Sequence, residues 1–194
     1  MPNANTMDRL DLTRRLVERA GPAAAIVAGI GNTNFDLHAA APDRPENFYM
    51  LGSMGLAVPI GLGLACAQPQ RQVIVLEGDG SLLMSLGALA TVAAVAPPNL
   101  TIVAWDNGAY AITGNQAAAT AEGTDLVAVA RGAGIEQGDW ARDPDDFERL
   151  VVRALQIEGP AFIGARVAAT PGASRPPRDP VILKDRFMRA VGAG

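Results

Sequence analysis

Residues 73–81 read Val-Ile-Val-Leu-Glu-Gly-Asp-Gly-Ser, and they decide the fold of this chain. The apolar run at their start shows almost no alternation with polar residues, which indicates a strand covered on both faces. It ends in a glycine-flanked turn, and a helical pattern follows. A second apolar run, Leu100 to Trp105, then ends at Asp106-Asn107-Gly108. Strands that alternate with helices predict an α/β fold, a mostly parallel, doubly wound sheet flanked by helices.

Two oxygen-bearing side chains, Asp79 and Asn107, follow the ends of these strands. Ligands of such sheets bind outside the carboxyl ends of the strands, so we expect both side chains at one site. Gly78 and Gly80 let backbone N–H groups approach phosphate oxygens, and Ser81 opens a helix whose N-terminus favours an anion. Mg²⁺ prefers oxygen ligands and leaves places for phosphate and water. The pattern predicts a divalent cation on a diphosphate; the alternative is that Gly-Asp-Gly is only a turn.

Composition narrows the class of protein. A chain of 194 residues is long enough for one core and predicts a single domain over residues 1–194. The net charge of -4 and the absence of a Lys/Arg-rich run argue against a nucleic-acid partner. Cys66 is the only cysteine and His38 the only histidine. This chain alone therefore builds no internal disulfide, thiolate zinc site or Ser-His triad.

Nothing in the sequence predicts a membrane protein. The segment Met1 to Thr6 is polar and has no signal-peptide core. No uninterrupted apolar run is long enough for a transmembrane helix. We therefore expect a cytoplasmic protein.

The other elements continue the alternation. Thr6 is expected to cap a helix from Met7 to Ala20. Leu56 to Ala67 and Ser81 to Val95 are apolar enough to predict two buried helices. The proline-rich stretch Thr170 to Pro180 predicts an extended surface connection to the last helix. Further strands are expected at Ala24–Ala28, Ile135–Glu136 and Phe162–Val167, and further helices at Phe35–Ala40, Asp125–Ala133, Pro144–Leu155 and Pro180–Val191.

A second glycine-rich turn, Gly52-Ser53-Met54-Gly55, precedes the first of the apolar helices. Read alone, it is either a helix entry with Met54 in the core or part of a binding site. Together with the first motif, it resembles the signature of thiamine diphosphate enzymes. That signature is Gly-Asp-Gly followed by Asn-Asn, and Asp106 stands here in the place of the first Asn.

The chain resembles the sulfopyruvate decarboxylase β subunits, and the phosphonopyruvate decarboxylases are close relatives with the same pattern. The resemblance covers nearly the whole chain as one diphosphate-binding domain. The segments that carry it are Asn47–Leu56, Gly78–Met84, Asp106–Tyr110, Thr113–Gln116, Gly159–Phe162 and Lys184–Met188.

The resemblance implies two cofactors, thiamine diphosphate and Mg²⁺. The side chains of Asp79 and Asn107 and the carbonyl of Ala109 would bind the metal. In the second turn Met54 would prop the cofactor in its bent shape, the Gly52 carbonyl would accept from its 4′-amino group, and the Met54 N–H would meet the aminopyrimidine ring. Ser53 of the same turn is a further expected cofactor-binding residue. The diphosphate would meet the remaining expected cofactor-binding residues: Gly78, Gly80, Ser81, Thr33 and Asn34.

Two further side chains have alternative roles. Tyr110 follows the metal loop and either faces the cofactor and substrate or packs as a loop aromatic. His38 is either a surface helix residue or an acid–base group near the cofactor. Met54, Tyr110 and His38 are therefore the candidate catalytic residues.

The implied reaction is the decarboxylation of a 2-oxo acid. The decarboxylases carry a basic residue after their first strand, and here Phe35 takes its place. This departure leaves the substrate open between a sulfonate or phosphonate and an uncharged or aromatic 2-oxo acid. A lyase or carboligase that joins aldehydes is an equal alternative.

The resemblance also implies a partner. Members of this family activate the cofactor with a glutamate from a separate pyrimidine-binding domain, for which this chain has no room. A second polypeptide would supply it, in a hetero-oligomer with active sites between chains. Glu77 precedes the metal aspartate and is expected to point away or into the sheet, so it is not a candidate.

Two rivals come from other classes. A nucleotide-binding oxidoreductase would want Gly-x-Gly-x-x-Gly after a strand. Gly29-Ile30-Gly31 starts that pattern, but Asn34 replaces the third glycine. The other rival is a non-catalytic regulatory subunit that keeps the fold and the cofactor.

Overall fold

The computed structural model describes residues 6–192, and its centre is a parallel sheet of six strands. These are β1 (Ala25–Ala28), β2 (Asn47–Tyr49), β3 (Val73–Gly78), β4 (Leu100–Asp106), β7 (Gln137–Ala141) and β8 (Ala161–Arg166). A short antiparallel pair, β5 (Ala109–Tyr110) and β6 (Gln116–Ala117), lies apart from the sheet.

The strand order β2-β1-β3-β4-β8-β7 places a topological switch point between β1 and β3. From β1 the chain goes to one neighbour, β2, and then returns to the other side for β3. The loops that follow β1 and β3 therefore diverge and leave a crevice at the carboxyl edge, where ligands of such sheets bind.

Helices cover both faces of the sheet, as the sequence predicts. Residues such as Leu12, Leu37 and Phe147 fill the core on one face, and Val58, Leu89 and Leu126 fill the core on the other. The helices are α1 (Arg9–Ala20), α2 (Asn32–Ala40), α3 (Ala57–Ala67), α4 (Asp79–Leu83), α5 (Gly87–Val95), α6 (Leu126–Gly132), α7 (Pro144–Ala154) and α8 (Pro180–Val191). A 3₁₀ turn spans Ala119–Glu122.

Several elements differ from the sequence prediction: α2 begins at Asn32 rather than at Phe35, and β2 was not predicted as a strand. The N-cap of α1 is Asp8, whose Oδ1 accepts from the Asp11 N–H at 2.8 Å, and not Thr6. The strand expected at Ile135–Glu136 instead runs over Gln137–Ala141. The Ile135 N–H donates to the Ala130 carbonyl at 3.0 Å and its side chain is buried, so this residue closes the end of α6.

The two apolar helices are not buried all round in this chain. Each packs one face on the sheet and exposes the other, with Ile60 of α3 at 38% and Val95 of α5 at 49% exposure. The helix predicted from Ser81 to Val95 is also divided into α4 and α5. Hydrogen bonds from Met84 to Ser81 and from Ser85 to Leu82 tighten the turn between them.

The proline-rich segment between β8 and α8 has no regular structure from residue 171 to 179 and runs over the start of α2. The Gly172 N–H donates to Asn32 Oδ1 at 3.0 Å, and the Ala173 N–H donates to Asp36 Oδ1 at 2.9 Å. These bonds hold the segment against the helix that follows β1.

No helix within residues 6–192 is long and apolar enough to cross a membrane. Residues 1–5, most of the polar segment noted in the sequence, lie outside the described part of the chain, as do residues 193–194. That one domain fills residues 1–194 stays a prediction.

Candidate functional site

A cavity opens at the carboxyl edge of the sheet and brings both glycine-rich motifs together. Its wall includes Met54 from one turn, Gly78 to Ser81 from the other, and Asn107 and Ala109 from the loop after β4. The distant sequence motifs therefore share one site.

Asp79 is held by groups from two other segments. Its Oδ2 accepts from the Gly108 N–H at 3.0 Å and from the Thr120 hydroxyl at 2.6 Å. The same Gly108 N–H also reaches Asp106 Oδ1 at 3.1 Å, so two carboxylates lie close together. Burial raises the pKa of Asp79 to about 6, and the charge of Asp106 adds to this rise while the Thr120 hydrogen bond opposes it. A cation beside Asp79 would relieve both unfavourable effects.

The loop after β4 offers further oxygen atoms. Asn107 Oδ1 accepts from the Ala109 N–H at 3.0 Å, which fixes the amide group at the cavity wall. The described residues contain no cluster of three His, Cys, Asp or Glu side chains able to hold a metal. Asp79, Asn107 and a backbone carbonyl are hard oxygen donors, a set that suits Mg²⁺ when phosphate and water complete the coordination.

The turn that carries Met54 has an unusual backbone. Ser53 has a φ of +62° and Gly55 a φ of +82°, a region that side chains rarely adopt. The Gly55 N–H donates to the Ser81 hydroxyl at 2.8 Å, which ties this turn to the Gly-Asp-Gly-Ser turn. Backbone strain of this kind is common at ligand sites and persists only when the surroundings fix it.

Tyr110 lies directly on the Gly-Asp-Gly turn. A Cβ atom on Gly80 would stand 2.4 Å from Tyr110 Cε1, so only glycine permits this contact. The tyrosine also lines the cavity. Its ring thus packs on the loop and also lines the cavity, and its role towards a cofactor and substrate stays a prediction.

Some of the expected site residues lie elsewhere. Thr33 lines the cavity, but Asn34 does not; its side chain is buried and donates to the Met50 carbonyl. Gly52 and Ser53 are exposed and lie outside the cavity wall. His38 Nδ1 is 2.9 Å from the Ser174 hydroxyl, away from the cavity, so its placement does not support an acid–base role there.

Three candidate functional residues were not predicted from the sequence. Arg9 lines the cavity at 2% exposure, with its Nε bound to Asp36 Oδ2 at 2.7 Å. Trp105 also lines it, and its Nε1 has no hydrogen-bond partner among the described residues. Thr120, the donor to Asp79, is the third. All three depend on contacts between segments far apart in the chain, which no local pattern announces.

Comparison with known proteins gives a family match over much of the chain. Residues 29–165 match the family described as thiamine pyrophosphate enzyme, C-terminal TPP binding domain. The chain is 41% identical to sulfopyruvate decarboxylase subunit beta of Methanocaldococcus jannaschii, over 94% of this chain and 96% of that protein. It is 38% identical to phosphonopyruvate decarboxylase of Streptomyces hygroscopicus, over 100% of this chain but only 50% of that protein.

Solved structures show the same fold. Benzoylformate decarboxylase from Polynucleobacter necessarius aligns with a TM-score of 0.73 at 18% identity, over 91% of this chain and 35% of that one. A thiamin diphosphate-dependent enzyme from Mycobacterium smegmatis, described as putative, aligns with a TM-score of 0.74 at 25% identity, over 85% of this chain and 32% of that one. The chain thus spans nearly all of the subunit beta relative, half of the phosphonopyruvate decarboxylase and about a third of the solved chains.

Proposed function

The chain belongs to the thiamine pyrophosphate enzymes and carries their C-terminal cofactor-binding domain, and on this basis we propose that it is the diphosphate-binding subunit of a two-chain 2-oxo acid decarboxylase. Sequence likeness supports this assignment because the chain covers nearly all of a decarboxylase subunit beta. The same likeness covers only half of a phosphonopyruvate decarboxylase, which leaves room there for a second domain.

The observation that carries the proposal is the single cavity shared by Met54, Asp79 and Asn107. Asp79, Asn107 and the Ala109 carbonyl would hold Mg²⁺, and Thr33 with the N–H groups of the Gly78–Ser81 turn would bind the diphosphate. Met54 would support the bent cofactor from the other turn. When bound, thiamine diphosphate supplies the nucleophilic carbon and the electron sink for decarboxylation.

A partner subunit would complete the site by supplying the activating glutamate. Large apolar side chains are exposed at or beside the cavity: Ile112, which lines it, at 57%, and Leu56, two residues after Met54, at 44%. Exposed apolar surface that continues from a binding cavity is typical of an interface. We further propose that the complex is cytoplasmic.

The substrate class rests on which cation reaches the cavity. Phe35 is half-buried against the proline-rich segment, with the Arg175 guanidinium 5.3 Å from its ring centroid, and does not line the cavity. Arg9 does line it, but Asp36 already neutralises that charge. Among residues 6–192 the cavity wall carries no unpaired cation, which favours a second candidate function, a lyase or carboligase acting on an uncharged or aromatic 2-oxo acid or aldehyde.

The test is CO₂ release by the chain together with its co-purified partner. Sulfopyruvate, phosphonopyruvate and benzoylformate would each be supplied with thiamine diphosphate and Mg²⁺. We expect release that requires both chains, and the preferred substrate decides between an anionic and an uncharged tail.

Two results would contradict the proposal. Full activity of the isolated chain would refute the two-chain site. Cofactor binding in the purified complex without turnover of any 2-oxo acid or aldehyde would instead support the non-catalytic regulatory subunit.

A further inference from the structure

Glu77 is a buried carboxyl group that the proposed cofactor contacts do not use. It is the penultimate residue of β3, is 1% exposed and does not line the cavity. Its Oε2 accepts from the Ala57 N–H at 3.3 Å, at the first residue of α3. Burial raises the pKa of Glu77 to about 7, against the opposing hydrogen bonds from Ser81, Ala57 and Gly78. Burying a carboxyl group this deep in the sheet costs free energy, so its presence there indicates a structural role.

Three turns meet at this carboxyl group. The Glu77 carboxyl accepts from the N–H of Ala57, which follows the Met54 turn, and Glu77 itself immediately precedes the Gly-Asp-Gly-Ser turn. The Ser81 hydroxyl oxygen accepts from the Gly55 N–H at 2.8 Å, which joins the same two turns directly. Gly29, at the end of β1, packs directly on the carboxyl, since a Cβ atom there would stand 2.0 Å from Glu77 Oε1. Glu77 thus lies where the loop after β1, the Met54 turn and the Gly-Asp-Gly-Ser turn come together.

We propose that Glu77 is a positioning residue that locks the Met54 turn to the Gly-Asp-Gly-Ser turn. The link runs from Glu77 to the start of α3 at Ala57, on one side of the Met54 turn, and the Gly55–Ser81 hydrogen bond ties the turn to the same loop directly. It fixes the distance between the residue that supports the thiamine end of the cofactor and the loop that binds its diphosphate. The identity of the ligand rests on the proposed function, but the link itself rests on contacts within the chain.

The unusual backbone of the Met54 turn is the reason that such a link is needed. Ser53 holds a φ of +62°, a costly angle for a residue with a side chain, and strained turns relax unless neighbouring groups hold them. Removing the carboxyl would leave the Ala57 N–H, just after this turn, without an acceptor. The Met54 turn would then move relative to the diphosphate loop while the sheet stays folded.

The first experiment measures amide hydrogen exchange by NMR on the full chain without ligand. Glu77→Leu should speed exchange about tenfold at Ala57, because it removes the acceptor of that N–H, and at Gly55, because the turn that carries it loosens. Glu77→Gln keeps an acceptor oxygen and should stay within about threefold of wild type. The control is Val75→Ala, which loosens the packing of the same strand on Gly61 of α3 without removing a hydrogen bond.

The second experiment compares two ligands on the same variants by calorimetry, each with Mg²⁺. Inorganic pyrophosphate measures the diphosphate loop alone, and thiamine diphosphate measures both turns. Glu77→Leu should weaken thiamine diphosphate about tenfold and pyrophosphate by less than about threefold, with Glu77→Gln restoring both. A merely destabilising substitution such as Val75→Ala should not separate the two ligands.

The outcomes separate this inference from the proposed function. Unchanged exchange at Gly55 and Ala57 in Glu77→Leu, or equal weakening of both ligands, would overturn the positioning role. If the wild-type chain bound pyrophosphate but not thiamine diphosphate, the proposed cofactor would fail, and the exchange measurement would still decide the role of Glu77.

Discussion

At the residue scale, the Asp79 carboxylate depends on a neighbour that the motif does not contain. The Thr120 hydroxyl donates to Asp79 Oδ2 at 2.6 Å and so fixes the orientation of the carboxylate that we propose as a metal ligand. Outer hydrogen-bond partners of this kind commonly set metal affinity almost as strongly as the ligands do.

Replacing Thr120 by Ala should therefore raise the Mg²⁺ concentration needed for half-maximal thiamine diphosphate binding about tenfold. A Mg²⁺ titration monitored by calorimetry measures this shift. Thr91→Ala, on the exposed face of α5, is the matched control and should leave the titration unchanged. Equal titration curves for both variants would argue against a metal at Asp79.

The site residues also show which parts of the site local sequence motifs predict. Asp79, Asn107 and Met54 were predicted because each lies in a short motif with its own glycines, and all three line the cavity. Arg9 and Thr120 contact Asp36 and Asp79 across separations of 27 and 41 residues, which only the folded sheet brings together. Their roles in binding remain predictions.

At the element scale, one buried ion pair holds together α1, α2 and the proline-rich segment. The Arg9 and Asp36 side chains are 2% and 3% exposed, and Arg9 also donates to the Thr170 carbonyl at 2.9 Å. Removing one partner of a buried pair leaves an uncompensated charge, which costs far more than losing an exposed pair.

Asp36→Ala should lower the free energy of unfolding by about 3–5 kcal/mol, measured by urea denaturation. The control is Asp145→Ala, because Asp145 pairs with Arg15 while its side chain is 93% exposed. That variant should change stability by less than about 1 kcal/mol. Similar small losses in both variants would show that the buried pair does not hold these elements together.

The elements also show where sequence patterns end. Unbroken apolar runs and their flanking turns predicted the order of most strands and helices, but not β2, β5 or β6. The break between α4 and α5 and the shift of β7 were missed. In both places short-range hydrogen bonds at a helix end replace regular structure, at Met84 and at Ile135, and apolar periodicity does not encode them.

At the scale of the whole molecule, large apolar side chains remain exposed on the surface beside the site. Leu56 and Met84 are 44% and 59% exposed, beside the turns that form the site. The sequence predicted that the apolar helices at Leu56–Ala67 and Ser81–Val95 would be buried. The proposed partner would cover their exposed faces.

Leu56→Glu should weaken association with the partner at least tenfold, because it places a charge in an apolar interface. Sedimentation of the co-expressed pair measures the association. Ile182→Glu is the matched control and should leave the complex intact, because Ile182 is 59% exposed on α8 beside Pro45 and Asp185 and not beside the turns of the site. If Leu56→Glu also left the complex intact, the partner would not cover this side.

The most direct test of the account is Mg²⁺-dependent binding of thiamine diphosphate to the purified complex, comparing wild type with Asp79→Ala. Asp106→Asn, which changes the neighbouring carboxylate but not a proposed ligand, is the control. We predict retention of the cofactor by wild type and Asp106→Asn, and loss of at least about a hundredfold in affinity for Asp79→Ala. Undiminished binding by Asp79→Ala would contradict the assignment of the site.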